Sequence, residues 1–187
     1  MTQILRSKTA YDGYAKVTVL TLSDRPGDEY QREVVSFGSS ACVLPYDPDR
    51  KVALIIRLPR APLLLARIET RLVEAPAGMI ESGETPEVTV RREAIEEAGV
   101  ALGKLELVAA CWSSPGVVAE RSHLFLAPYA AADRRGAGGG LAEEHEGIAA
   151  EEVPLADLWR WQEQGLLHDM KTLTLVLALR LRHSRLF

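Results

Sequence analysis

The chain has 187 residues, with 22 Lys and Arg against 26 Asp and Glu and a formal net charge of −4. That length suits one domain with a small extension, and the composition is that of an ordinary globular protein. The acidic balance argues against broad electrostatic affinity for nucleic acid, and the longest apolar runs, 52–56 and 63–66, are too short to span a membrane.

The first residues, MTQILRSKTAYDGY, lack the apolar core of a signal peptide, so a cytoplasmic location is the default expectation. Residues 14–22 and 30–37 read as strands separated by a turn over 24–28. Such a pair cannot bury both its faces alone. Residues 1–38 are therefore expected to form an antiparallel β extension that something else covers, dimerisation being the obvious candidate. Residues 39–46 and 51–57 read as a hairpin turning at 47–50, and 70–77 as a further strand.

Residues 78–100, GMIESGETPEVTVRREAIEEAGV, are the most informative stretch. Gly83, Thr85 and Pro86 mark a helix start, and Gly99 suits its C-terminal cap. Val88, Ile95 and Ala98 form an apolar stripe by helical spacing. Glu93 and Glu97 are expected opposite that stripe, with Glu96 beside them. Like charges four residues apart cost about 0.2–0.5 kcal/mol per pair, so this cluster stabilises a helix poorly. It suits hard divalent cations well. Arg92, four residues before Glu96, can brace it. Arg91 falls near the apolar side and must snorkel or find a partner.

Strands follow over 104–112 and 122–129, and then a loop rich in Ala, Gly and Glu over 132–147. A short strand over 149–153 precedes helices over 155–165 and 170–182, with Gly165 ending the first and Asp169 starting the second. Cys42 and Cys111 lack metal spacing and read as reduced core residues. There is no internal repeat.

The pattern from residue 78 resembles the Nudix box, G-x5-E-x7-R-E-U-x-E-E-x-G-U with U aliphatic. Gly78, Glu84, Arg92, Glu93, Glu96, Glu97, Gly99 and Val100 match its fixed positions, and Ala94 fills the first U. The resemblance implies an α/β fold, a Nudix α/β/α sandwich with a mixed sheet, over residues 39–187. It also implies Mg²⁺- or Mn²⁺-dependent hydrolysis of a nucleoside diphosphate linked to another group.

Four further segments are similar to the branch of the family that cleaves ADP-ribose and GDP-mannose. They are Glu74-Ala75-Pro76-Ala77-Gly78; Ser114-Pro115-Gly116 followed by Glu120-Arg121-Ser122; residues 140–148 (GLAEEHEGI); and residues 165–172 (GLLHDMKT). The run Ala137-Gly138-Gly139-Gly140 is similar to the GDP-mannose hydrolases in particular. Two departures bear on substrate choice. Leu58-Pro59-Arg60 keeps the arginine of a Q-x-R motif without its glutamine, and Gly147 replaces an aspartate of E-x-E-D-I.

What this resemblance implies for the site is specific. Glu93, Glu97 and the backbone carbonyl of Ala77 hold metal, Glu96 is a ligand or a close neighbour of one, and Glu146 completes the set. Arg92 orients the glutamates. Glu144 is the first choice for the base that takes a proton from the attacking water, with Glu143 and Glu146 as alternatives. Arg60, Glu74, Pro115 and Glu120 are candidate substrate contacts; Glu120 and Arg121 can equally form a surface pair. His123 reads as structural, and His145 as a poor Mg²⁺ ligand. Trp112 reads as core, and Trp159 and Trp161 as packing or dimer contacts. The implied partner is a nucleotide-sugar substrate, with no nucleic acid, no membrane and a homodimer. Competing expectations are a hydrolase of another nucleotide and a catalytically silent nucleotide-sugar sensor.

Overall fold

The structure is a computed structural model that describes residues 1–68, 71–141, 143 and 146–187. The chain divides into two compact units, Met1–Ser40 with Ala110–Ser122, and Ala41–Ala109 with His123–Phe187.

The first unit is built on a three-stranded antiparallel sheet of β1 (Gln3–Asp12), β2 (Lys16–Ser23) and β3 (Glu29–Ser36). The sequence suggests β2 and β3 but not β1. Every residue of β1 is exposed, so it carries no apolar alternation to read and is held by its backbone ladder to β2. The register of that ladder shifts between Ile4 and Arg6 and again between Thr9 and Tyr11. The segment after residue 112 returns to β3: Val35 N–H donates to Val117 O and Ala119 N–H to Val35 O, both at 2.8 Å. Cys111 and Trp112 are exposed, Trp112 by 58%, against the expectation that both lie in the core. They end an edge strand, where neither face is fully covered.

The second unit is organised by a seven-stranded sheet in which β10-β5-β4-β9-β8 lie side by side, β6 pairs with β5 and β7 with β4. The strands are β4 (Ser40–Asp47), β5 (Val52–Leu58), β6 (Leu72–Glu74), β7 (Ala77–Met79), β8 (Glu106–Trp112), β9 (Arg121–Pro128) and β10 (Ala149–Pro154). Alternation along β4 and β9 sorts the core into two layers. Ala41, Val43, Phe125 and Ala127 pack with Val90 and Ala94 of the box helix, α2 (Pro86–Glu96), and with Ala98 just beyond its end. Cys42, Leu44, Leu124 and Leu126 pack on the opposite face with Leu155 and Leu158 of α3 (Leu155–Glu163) and Leu175, Val176 and Leu179 of α4 (Met170–Arg182). A sheet covered on both faces explains why β4 and β5 read as nearly continuous apolar runs. The α/β/α sandwich with an N-terminal antiparallel extension is therefore the fold observed.

Three local differences have simple causes. The strand expected over 70–77 is two short strands broken at Ala75 and Pro76, because proline cannot donate to a ladder; Thr70 lies outside the described residues. Pro76 O instead accepts from Val43 N–H at 2.9 Å. The five-residue helix α1 (Ala61–Leu65) has no buried residue and is too short to show a periodic signal. Asp169 caps α4 as expected, its carboxylate accepting from Thr172 N–H at 2.9 Å. No helix among the described residues is long and apolar enough to cross a membrane.

Candidate active site

The box helix begins where its sequence signals. The Thr85 hydroxyl accepts from Val88 N–H and Pro86 occupies the first turn. Its buried face differs from the expected one. Val88 and Ile95 are 51% and 50% exposed, while Val90, Ala94 and Ala98 are fully buried. Glu93 and Glu97 are only 9% and 4% exposed, so they border the buried face rather than oppose it. Val90, Ala94 and Ala98 recur every four residues and carried the correct signal, but they are small beside Val88 and Ile95. Arg91 finds a partner in backbone, donating to Leu102 O at 2.7 Å and Gly103 O at 3.0 Å.

Arg92 gathers three carboxylates. Its guanidinium lies 3.1 Å from Glu84 Oε1, 2.7 Å from Glu93 Oε1 and 3.1 Å from Glu96 Oε2, and it also donates to Met79 O at 3.4 Å. Arg92 and the Thr89 hydroxyl together hold the Glu84 carboxyl down to a pKa of about 2. This ties the loop before α2 to the middle of the helix, and it does so at the edge where the glutamates point. The brace expected between Arg92 and Glu96 is present and extends to Glu84 and Glu93.

Glu97 is in the opposite electrostatic condition. Burial, reinforced by repulsion from Glu93 and Glu146, pushes its carboxyl up to about 8, against the hydrogen bond it accepts from Ala77 N–H at 2.8 Å and the attraction of Arg60. Gly78 follows Ala77 on β7. A Cβ on Gly78 would overlap the Glu93 carboxylate, so the missing side chain is what lets that carboxylate lie against β7 in its observed place.

A buried ion network supports the strand that leads into this corner. Arg60 grips Glu74 with two hydrogen bonds, at 2.7 and 3.0 Å, and its Nη1 lies 3.9 Å from Glu146 Oε1. Lys171 lies 2.6 Å from Asp169 and 3.6 Å from Glu74. The Thr172 hydroxyl accepts from Ala75 N–H and donates to Asp169, both at 2.7 Å. The start of α4 is thereby fastened to the turn that presents Ala77. The sequence displays Asp169, Lys171 and Thr172 within a motif, but nothing in their spacing says that they meet Glu74 and Ala75 about a hundred residues away.

The other candidates are distributed as follows. Glu144, with His145 and Ala142, lies outside the described residues; Glu143 is exposed and Glu146 half-buried. Pro115 and Glu120 belong to the first unit. Pro115 lines a pocket of about 440 Å³ with Leu20, Val34 and Trp112. Glu120 accepts from the hydroxyls of Ser40, at 2.5 Å, and Ser122, at 3.3 Å. Trp159 meets Phe187 edge-on, and Trp161 carries the Arg57 guanidinium over its ring.

The donor set at the α2–β7 corner fits a hard divalent cation. Its side-chain donors are carboxyl groups, Gly78 makes room against one of them, and a cation would relieve the crowding by Glu93 and Glu146 that disfavours the ionised form of Glu97. Among the described residues no three such side chains converge as a ready-made cage. Arg92 holds Glu93 and Glu96, and Ala77 N–H holds Glu97.

Comparison with known proteins gives the family. Residues 36–174 match the NUDIX domain. The chain is 35% identical over 185 residues to a GDP-mannose pyrophosphatase of Cronobacter sakazakii, covering 96% of this chain and 95% of that one. It is 33% identical over 185 residues to a GDP-mannose pyrophosphatase of Escherichia coli, with the same coverage. A crystal structure described as an ADP compounds hydrolase shares the fold, with a TM-score of 0.78 at 17% identity over 98% of this chain and 95% of that one. The chain belongs to the NUDIX family and is a hydrolase of its pyrophosphatase type.

Proposed function

We propose that the protein hydrolyses the phosphoanhydride of a nucleoside diphosphate sugar in a Mg²⁺- or Mn²⁺-dependent reaction. GDP-mannose, giving GMP and mannose 1-phosphate, is the first candidate, because GDP-mannose pyrophosphatases are similar to this chain over nearly its whole length. ADP-ribose, giving AMP and ribose 5-phosphate, is the second. The observation that carries the reading is the corner where Glu93 and Glu97 of the box helix meet Gly78 and Ala77 of β7.

In this reading Glu93, Glu97 and the Ala77 carbonyl hold the metal, with Glu96 and Glu146 as further donors. When bound, the metal supplies positive charge at the phosphate oxygens and an acidified water. Arg92 keeps Glu93 and Glu96 oriented toward the corner. Glu144 takes the proton from the attacking water, with Glu143 and Glu146 as the alternatives. Arg60 offers its outer guanidinium nitrogen to the substrate while Glu74 fixes its orientation. Pro115 and Glu120 are proposed to contact the sugar or base.

We also propose a homodimer assembled through the N-terminal strands, residues 1–38. The support is physical: β1 is exposed along its length and presents Ile4, Leu5 and Tyr11 to solvent.

The test is product analysis by anion-exchange chromatography after incubation with Mg²⁺ and GDP-mannose, ADP-ribose, UDP-glucose, diadenosine polyphosphates or 8-oxo-dGTP in turn. The reading predicts a nucleoside monophosphate and a sugar phosphate from one diphospho-sugar. Turnover confined to 8-oxo-dGTP or the diadenosine polyphosphates would overturn it.

A further inference from the structure

The metal helix does not end freely. The last carbonyls of an α-helix have no partner within the helix. Here Glu97, Val100 and Gly99 N–H take the carbonyls of Glu93, Ala94 and Ile95, and residues 134–140 supply partners to Glu96, the last residue of α2, and to the three residues after it. Gly140 N–H donates to Glu96 O at 3.0 Å and Gly139 N–H to Glu97 O at 2.9 Å. The Arg134 guanidinium donates to Ala98 O at 2.8 Å, and Arg135 N–H to Gly99 O at 2.7 Å. The Arg134 charge also sits favourably at the negative end of the helix.

This wrapping requires glycine. Gly138, Gly139 and Gly140 have φ of +73°, +117° and +75°, a region that side chains disfavour. A Cβ on Gly138 would overlap the backbone carbonyl of Glu97, and one on Gly99 would overlap that of Gly136. By contrast, Gly136 has open space around its missing side chain and no positive φ. The run Ala137-Gly138-Gly139-Gly140 is thus packed backbone against backbone at the end of α2.

The same segment is the near foot of the acidic loop. A Cβ on Gly140 would sit 3.0 Å from Ile148 Cδ1, and Ile148 is buried with Ile56 and Leu58 at the far foot. Arg71 holds Gly147 O at 2.9 Å. Gly140 and Ile148 are therefore both held in place, Gly140 by its bond to the backbone of Glu96 at the end of α2.

We propose that residues 134–140 are a positioning element for the metal site, fixing the last turn of α2 and the near foot of the Glu146 loop to one another. The proposal rests on the reading of Glu97 as a metal-holding residue. Gly138 is its most sensitive position, because a side chain there displaces the backbone of Glu97 itself.

The test is Mn²⁺ binding to the full chain, read by electron paramagnetic resonance, so no turnover is needed. Gly138→Ala should bind Mn²⁺ at least about tenfold more weakly, and Gly136→Ala within twofold of wild type. A Gly138→Ala protein with native circular dichroism and wild-type Mn²⁺ affinity would overturn the proposal. If Gly138→Ala does not fold, Arg134→Leu decides, since it removes the bond to Ala98 O without inserting bulk. It should weaken Mn²⁺ binding about threefold, and an unchanged affinity would overturn the proposal. Wild type that binds no Mn²⁺ would overturn both this proposal and the metal reading beneath it, which sets that failure apart from a failure of the positioning element alone.

Discussion

Replacing Glu97 by Gln should stabilise the metal-free protein, and increasingly so as pH rises. Glu97 is 4% exposed, and its carboxyl is pushed up to about 8 by burial and by Glu93 and Glu146. A folded-state pKa above the unfolded value means that the fold favours the neutral form. The associated stability is fully present below about pH 4.5 and is lost as pH climbs through about 8. At about 1.4 kcal/mol per pH unit, the shift from 4.5 to about 8 sets a ceiling of about 5 kcal/mol. For a chain of this size that corresponds to at most about 10–20 °C in Tm. Glutamine keeps an oxygen for the Ala77 N–H and cannot ionise. Thermal melts of wild type and Glu97→Gln in EDTA, from pH 5 to pH 8.5, isolate the effect. The Tm difference should widen with pH in favour of the variant. Added Mg²⁺ should reverse it by stabilising only wild type, since a bound cation favours the ionised carboxylate. A difference that stays flat with pH would refute the assignment of a strained carboxylate at this corner.

Other changes have distinct signatures. Arg92→Ala should cost about 10–100-fold in metal affinity or kcat, because it frees Glu84, Glu93 and Glu96 at once; Mn²⁺ titration and steady-state kinetics measure both. Gly78→Ala forces the Glu93 carboxylate aside and should lower metal-dependent turnover at least tenfold while the far-ultraviolet circular dichroism stays native. Thr172→Val leaves the buried Ala75 N–H without an acceptor and should destabilise by about 1–3 kcal/mol in urea unfolding.

The legible parts of the chain were those whose local sequence states its own geometry. The start of α2 was marked by Thr85 and Pro86 and its end by Gly99, and the cap of α4 by Asp169, because caps and turns depend on neighbouring residues. β1 was invisible because all its residues face solvent, and Cys111 and Trp112 misled because an edge strand keeps apolar residues it does not bury. The direction of Glu93 and Glu97 was misjudged for a different reason. Carboxylates do not ordinarily border a core, and here a functional corner overrides the pattern that hydrophobic burial sets. The meeting of Arg60, Glu74, Lys171 and Thr172 depends on sheet order and helix docking, which no local spacing encodes.

The most direct test of the central claim is release of GMP from GDP-mannose as a function of Mg²⁺, comparing wild type with Glu93→Gln and Glu97→Gln. The account predicts saturable Mg²⁺ dependence in wild type and a loss of at least about a hundredfold in either variant. Full turnover by wild type in EDTA, or variants that keep wild-type rates, would contradict it.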